Sequence, residues 1–353
     1  KDLGIRTVAV YSEADRESLH VRFADEALCI GPPRSGESYL NVPAVISAAE
    51  ITDAEAIHPG YGFLAEDAAF AEVCEVSGVN FIGPSSELIR LMGDKARARK
   101  AMKDAGVPIL PGTEGPVETE AEARKEAEAI GYPVILKAAA GGGGRGMRIV
   151  RSSSELERAF HQARHEASAS FQCADVYLEK FVEQPRHIEF QVIGDQHGRV
   201  VSLGERECSI QRRHQKVVEE CPSPVVEPEL RARLGEAALA IVKASHYHSL
   251  GTVEFLLDPN GEFYFLEMNT RLQVEHPITE VVYGVDVVQE QISLALGDPL
   301  SLLQEELVPR GLAMECRIYA EDALRNLAPS PGRISLWVRP GCPCVRLVSG
   351  VIA

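Results

Sequence analysis

No apolar run in the sequence approaches the ~18 residues a membrane helix needs, so no membrane span is expected. No signal-peptide pattern opens it either. Positive charge is in short supply, with 36 Lys and Arg against 52 Asp and Glu and a formal net charge of -16. Phosphate backbones are held by clustered Lys and Arg, so nucleic acid is not expected as a partner. The eight cysteines contain no CxxC pair, which argues against a zinc ribbon or a thioredoxin motif. Scattered thiols read instead as small buried hydrophobes in a reducing cytoplasm. The Cys342-Pro-Cys344 pair has no neighbouring His or Cys cluster to suggest metal.

What is present suits a soluble globular protein: 353 residues, 45% of them hydrophobic, enough for two or three domains. The chain enters a strand almost at once (KDLGIRTVAVY) and stops inside an apolar segment (VRLVSGVIA), so it is expected to be a piece of a longer protein. Its first ninety residues alternate short strands (Thr7–Tyr11, Ala27–Ile30, Ala56–His58, Phe81–Pro84) with helices (Val42–Ala49, Ala68–Val76). That βαβ rhythm predicts a parallel, doubly wound sheet. Asp94–Ala105 reads as a charged helix and Gly106–Pro116 as a linker. Helix Glu120–Ile130 spaces Glu122 and Glu126 to pair with Arg124 and Lys125. Strands Pro133–Lys137 and Met147–Val150 flank a glycine loop, and a helix follows at Ser154–Ala167, which together predict a small mobile α+β unit. Beyond it the pattern is strand-rich: Val176–Phe181, His187–Ile193, Val200–Arg206, Thr252–Leu257 and Phe263–Glu267, with a turn at Asp258–Gly261 and helix Pro228–Ala244.

Four segments carry chemistry. VILKAAAGGGGRGM sets Lys137 before four glycines, Gly141–Gly144. Glycine lets backbone N–H groups approach phosphate closely, with lysine as a point charge; a flexible hairpin tip is the plainer alternative. Glu254 and Glu267 lie on apolar strands joined by the turn, with Asn269 beside them. Carboxylates on buried strands need a partner or a metal, and an oxygen-rich trio suits Mg²⁺; a solvated hairpin face is the alternative. NTRLQVEHP offers Arg271 as an anion fork and Glu275 as a base, or else a helix salt bridge between the two. ERECSIQRRHQK gathers Arg206, Arg212, Arg213, His214 and Lys216 in an acidic protein, which suits an anion site or a basic edge strand. His246 and His248 read as surface or helix-end residues rather than metal ligands.

The motifs HPGYGFLAE (His58–Glu66), FIGP (Phe81–Pro84), MGDKARAR (Met92–Arg99), QRRHQKVVEE (Gln211–Glu220), EMNTRLQVEHP (Glu267–Pro277) and ECRIYAED (Glu315–Asp322), with the glycine loop, follow one another across the whole chain. In that order they resemble the biotin carboxylase family of the ATP-grasp superfamily. The resemblance implies an α/β and α+β fold with five parts. These are a Rossmann-like domain lacking its first strand (1–92), a linker helix (93–108), a glycine-loop lid (109–181), an ATP-grasp C-terminal subdomain (182–310) and the start of a truncated C-terminal region (311–353). The family's opening IANRGEIA-type segment is absent here, Ala140 stands where many members have glycine, and Leu327 replaces the usual aromatic before PSPG.

By the same resemblance, Lys95 and Lys137 hold ATP phosphates with Gly143 and Gly144. Glu179, Lys180 and Val182 line the adenine, and His187, Gln211 and His214 meet ribose and phosphates. Glu254, Glu267 and Asn269 hold Mg²⁺ or Mn²⁺. Lys216, Arg271, Gln273 and Val274 cradle bicarbonate, Glu275 deprotonates it, and Arg317 meets the biotin enolate, so that Lys216, Arg271, Glu275 and Arg317 form the catalytic set. The implied activity is an ATP-dependent C–N-forming ligation, carboxylating biotin on a carrier protein through carboxyphosphate. It is the first half-reaction of acetyl-CoA carboxylase in fatty acid synthesis or of a related enzyme. A carboxyltransferase partner, a homodimer and a cytoplasmic location go with it. A pyruvate carboxylase domain, a carbamoyl-phosphate synthetase-type ligase and a non-catalytic nucleotide-binding regulator are the alternatives.

Overall fold

The computed structural model describes residues 1–113, 115–138, 147–171, 175–213 and 215–350. The N-terminal part runs β1 (Val8–Ser12), α1 (Leu19–Phe23), β2 (Glu26–Gly31), α2 (Val42–Ile51), β3 (Ala56–Ile57), α3 (Ala68–Val76), β4 (Asn80–Phe81) and α4 (Ser86–Gly93). Pairing is parallel, as the βαβ rhythm predicts: Val8 faces Glu26 and Ile57 faces Phe81. A single doubly wound sheet does not form among the described residues. β1–β2 and β3–β4 are separate two-stranded pieces, because no described strand lies between them to carry the backbone bonds across. One core still unites them, with Ile30, Val45, Phe70, Cys74 and Phe81 in a common cluster. Side-chain caps start the helices: Asn41 accepts from the Ala44 N–H, and Asp67 from those of Ala69 and Phe70.

α5 (Lys95–Asp104) leads to a small unit of α6 (Glu120–Ile130), β5 (Val134–Ala138), β6 (Met147–Val150), α7 (Ser153–Phe171) and β7 (Val176–Lys180). Its antiparallel sheet has the order β6-β5-β7 and a core of its own, including Ala123, Ala127, Leu136, Leu156 and Leu178. The ion pair on α6 differs from the expected one. Arg124 bonds Glu120 at 3.0 Å, four residues back, while Glu122 accepts from the Glu118 N–H. A Glu placed one turn N-terminal to a cation is the favoured orientation.

The largest sheet comprises β8 (Arg186–Gly194), β9 (Val200–Arg212), β10 (Gln215–Cys221), β11 (Ser249–Leu257), β12 (Phe263–Asn269) and β13 (Ala313–Cys316). Its order is β12-β11-β8-β9-β10-β13, antiparallel throughout. Side chains alternate between faces along a strand. On one face Ile188, Phe190, Val192, Val253 and Phe255 pack with Leu234, Ala238 and Ile241 of α8 (Pro228–Ala244). The other face carries Glu189, Gln191, Thr252 and Glu254, and these are buried too. Burying polar groups is unfavourable unless they are bonded to one another, so this face marks the site. Two further helices, α9 (His276–Tyr283) and α10 (Val287–Ala295), follow the sheet, and α9 ends at Gly284 in the left-handed conformation that glycine adopts freely.

Candidate active site

Lys216 of β10 is the centre of the buried polar face. Its Nζ donates to Glu254 Oε1 at 2.9 Å, to Glu275 Oε1 at 2.8 Å and, in a shorter contact, to Glu189 Oε2. Burial opposes its charge, but the three carboxylates outweigh that and push the ammonium far above the usual lysine range. Burial likewise opposes charge on Glu189, yet Lys216 and Arg206 pull its carboxyl down. Glu254 is held below the carboxylate range by His187 and Lys216 against burial. His187 Nε2 stands 2.9 Å from Glu254 Oε2, off the hydrogen-bond axis. Burial lowers the imidazole, and Glu254 more than reverses the effect.

Arg206 corrects one expectation. It is fully buried, so it cannot meet an external anion. Its guanidinium bonds Glu189 Oε1 at 2.6 Å, Gln191 Oε1 at 2.8 Å, Thr279 Oγ1 at 2.9 Å, Thr252 Oγ1 at 3.3 Å and Gln273 Oε1 at 2.7 Å. Arg212 is drawn away as well, by a two-pronged pair with Glu321, and Arg213 is exposed at a left-handed turn. Of the described cations in ERECSIQRRHQK, Lys216 and Arg206 therefore join the carboxylate cluster, sharing Glu189, and Arg212 and Arg213 do not.

α9 begins only at His276 within NTRLQVEHP, so Arg271 and Glu275 are not a helix pair. Arg271 bonds Glu66 Oε2 at 2.8 Å, Asn269 Oδ1 at 3.0 Å and the Leu272 carbonyl at 3.2 Å. Glu275 takes Lys216 on one oxygen and Arg317 Nη2, at 3.1 Å, on the other. Gln273 spans the cluster, donating to Glu254 at 3.1 Å while accepting from Arg206.

Glu254 and Glu267 are direct partners in the β11–β12 ladder, so both side chains leave the same face. Asn269 donates to Glu254 Oε1 at 2.8 Å. Two carboxylates and an amide on neighbouring strands fit a hard divalent cation such as Mg²⁺. His187, Glu189 and Glu254 also bring ligating atoms within 4.8 Å of one another, but Lys216 is bonded to two of the three. Neither His246 nor His248 joins a metal-competent group among the described residues.

In the small unit, Lys137 pairs closely with Glu179, which also takes Arg99 Nη1 at 2.6 Å. Lys180 Nζ caps the Gly131 and Tyr132 carbonyls at 2.8 and 3.0 Å. Gln211 Nε2 lies 3.3 Å from His187 Nδ1. Gly143, Gly144 and His214 lie outside the described residues, as does the Lys95 side chain. Val182 and Val274 are half-buried beside these groups in sequence.

Residues 1–89 match the family model "Biotin carboxylase, N-terminal domain". Residues 94–303 match "Carbamoyl-phosphate synthase L chain, ATP binding domain". Over 351 residues the chain is 56% identical to the biotin carboxylase of Nostoc sp., covering 99% of this chain and 78% of that one. The chain belongs to the biotin carboxylase family. The fold of a biotin carboxylase solved from Campylobacter jejuni, as a β-γ-ATP complex, matches with a TM-score of 0.89 and 50% identity over 97% of this chain and 76% of that one. The biotin carboxylase domain of the Hydrogenobacter thermophilus 2-oxoglutarate carboxylase, a dimer with MgADP, ADP and bicarbonate, matches with a TM-score of 0.87 and 50% identity, covering 97% and 75%.

Set in the ATP-grasp fold of that family, the sheet's polar face brings Lys216, Glu254, Asn269, Arg271, Gln273, Glu275 and Arg317 into one continuous hydrogen-bonded cluster. Glu66, Glu189, Arg206 and Glu219 complete it; Glu66, Glu189 and Glu219 were not anticipated as site residues, and Arg206 was expected at an anion site rather than as a buried member of the cluster. The alternation in RHIEFQV, polar at 187, 189 and 191 within an apolar strand, was the available signal for Glu189. Thiols depart from expectation in part: Cys74, Cys208 and Cys221 are buried, Cys29 and Cys316 are exposed, and Cys342 is bridged to Cys344.

Proposed function

We propose that this chain carboxylates biotin with ATP and bicarbonate, the first half-reaction of a biotin-dependent carboxylase, and that the buried polar face of the large sheet does the chemistry. The observation that carries the reading is the arrangement around Glu275, with Lys216 on one oxygen and Arg317 on the other. A base flanked by two cations suits a reaction that begins with an anion and ends with one.

In this reading bicarbonate lies between Lys216, Arg271, Gln273 and Val274. Glu275 takes its proton, and the oxygen so freed attacks the γ-phosphorus of ATP. The P–O bond to the β-phosphate breaks with its electron pair leaving on ADP, and carboxyphosphate forms. Lys95, Lys137, Gly143 and Gly144 hold the phosphates; Glu179, Lys180 and Val182 line the adenine; His187, Gln211 and His214 meet the ribose and phosphates. Glu254, Glu267 and Asn269 are the residues that would hold Mg²⁺ or Mn²⁺, which supplies charge neutralisation on the phosphates when bound. Carboxyphosphate splits into CO₂ and phosphate, phosphate takes the biotin N1 proton, and the N1 nucleophile adds to CO₂. Arg317 and Arg271 present fixed positive charge where the enolate oxygen develops, the kind of interaction worth about 3–4 kcal/mol in a transition state.

A biotin carboxylase acts on a carrier protein. A carboxyltransferase partner, a homodimer, a cytoplasmic setting and an acetyl-CoA-directed role in fatty acid synthesis are the finer parts of the proposal. The divisions 1–92, 93–108, 109–181, 182–310 and 311–353 belong to it as well, supported by a separate core in the glycine-loop unit. No helix among the described residues is long and apolar enough to cross a membrane.

Steady-state ADP release with and without biotin and bicarbonate tests the proposal. Wild-type turnover should need bicarbonate and rise with biotin. Arg271→Ala should lose biotin carboxylation by about a hundredfold or more while still binding ATP. Full activity in that variant would remove Arg271 from the site.

A further inference from the structure

Two carboxyl groups at the edge of the cluster, one of them a member of it, have no part in the reaction just described. Glu219 on β10 is fully buried, and Glu315 on β13 is half-buried. They are direct partners in the antiparallel ladder, so both side chains project from the same face with Cβ atoms about 5 Å apart. Glu219 Oε1 accepts from Arg317 Nε at 2.7 Å. Its other oxygen, Oε2, is buried and meets no hydrogen-bond donor. Arg317 therefore bridges Glu219 on one side to Glu275 on the other.

The charge around this point is lopsided. Glu189 of β8, Glu219 of β10, Glu254 of β11, Glu275 at the head of α9 and Glu315 of β13 share the region with Lys216 of β10, Arg206 of β9, Arg317 beyond β13 and the titratable His187 of β8 beside Glu254; Tyr319 and Cys208 are the neutral titratable neighbours. Carboxylates that outnumber their cations in a low-dielectric site relieve the imbalance by keeping a proton. The unpartnered Oε2 of Glu219 is a place where such a proton forms a bond rather than leaving a buried acceptor bare.

We propose that Glu219 and Glu315 share one proton near neutral pH and act as a positioning pair for Arg317, setting how much of its charge reaches biotin. The idea rests on the assignment of Arg317 to biotin made above. Burial, then Glu219 and Glu275, push Glu315 up to about 7 against the pull of Arg317 and Arg206, and burial raises Glu219 as well. With the proton in place the pair carries one negative charge, and Arg317 keeps most of its field for the substrate. When the proton leaves, the second carboxylate draws the guanidinium back and screens it. Titration of a shared proton belongs to the pair rather than to either residue.

Two measurements on the full chain test this. Infrared spectra between about pH 6 and about pH 8 should show a protonated-carboxyl C=O band that fades as pH rises through roughly 7. The band should vanish in Glu315→Gln and in Glu219→Gln, whose amide oxygen can still accept from Arg317. A wild-type spectrum without the band overturns the proposal, whether or not the variants fold. The second measurement is kcat/KM for biotin against pH. Relative to Glu315→Gln, the wild type should fall several-fold over that range, while ATP cleavage driven by bicarbonate alone keeps the same pH profile in both. A wild-type to Glu315→Gln ratio that is constant with pH also overturns it. Absence of any biotin-dependent turnover in wild type would instead sink the functional reading, leaving the infrared band to judge the shared proton by itself.

Discussion

Lys216 holds the buried polar face together and is also a proposed catalytic residue. Three carboxylates share its ammonium, and removing it leaves them buried together. Breaking a buried pair by deleting one partner usually costs about 3–5 kcal/mol, far more than an exposed pair contributes. Lys216→Met should lose about that much stability in urea titrations at neutral pH, and also lose turnover. The folded-state values of Glu189 and Glu254 lie below their ordinary 4.5, so the stabilisation they derive from Lys216 is complete above about pH 4.5. It is lost as pH falls through the depressed values, so the gap between wild type and variant should shrink in acid. An equal gap at pH 7 and in strong acid would contradict the ion-pair account. Lys216, Glu254, Arg271 and Glu275, which the structure brings into one cluster, stood out in the sequence because each is a charge in a distinctive motif. Arg206 was misread because sequence shows charge but not depth: inside the sheet it bonds five neighbours and faces none of the solvent.

Among the elements, strongly apolar strands joined by a clear turn signal were the easiest to read. The β11–β12 hairpin falls close to where its apolar residues and Asn260-Gly261 turn place it. β10 and β13 were not foreseen, since KVVEEC and AMEC are too short or too mixed in polarity to announce a strand and gain their order from pairing in the sheet, β10 with β9 and β13 with β10. α9 and α10 were missed for a similar reason: tertiary packing, not periodicity, fixes such short helices. Gly204 within β9 has a clear cause. Its φ is +70°, and an added Cβ would lie 1.9 Å from the Tyr283 hydroxyl. The β8–β9 ladder shifts register opposite it, between Phe190 and Val192, so the glycine makes a bulge possible and lets Tyr283 seat against the sheet. Gly204→Ala should lower stability by more than about 1 kcal/mol, and adding Tyr283→Phe should recover only part of that, because the backbone strain remains. A thermally neutral Gly204→Ala would mean that β9 relaxes without penalty.

Over the whole molecule, the N-terminal part and the large sheet meet at the site. Glu66 accepts from the Thr270 N–H at 3.0 Å and from Arg271 Nε at 2.8 Å, so a residue some two hundred positions away in sequence aims the arginine. His58 Nε2 lies 3.1 Å from Gln291 Oε1, tying the same HPGYGFLAE segment to α10. Sequence could flag that segment as a motif but could not show what it touches. Glu66→Gln keeps the shape and removes the charge; a charge-assisted bond is worth about 1.5–3 kcal/mol, so KM for bicarbonate should rise roughly tenfold or more. Unchanged bicarbonate kinetics would make the contact incidental. In the proposed reaction bicarbonate attacks ATP directly to make a mixed anhydride. Turnover with ¹⁸O-labelled bicarbonate and biotin tests it most directly. Transfer of one labelled oxygen into the released phosphate per carboxylation is the expected result, and phosphate labelled only from solvent water would contradict the account.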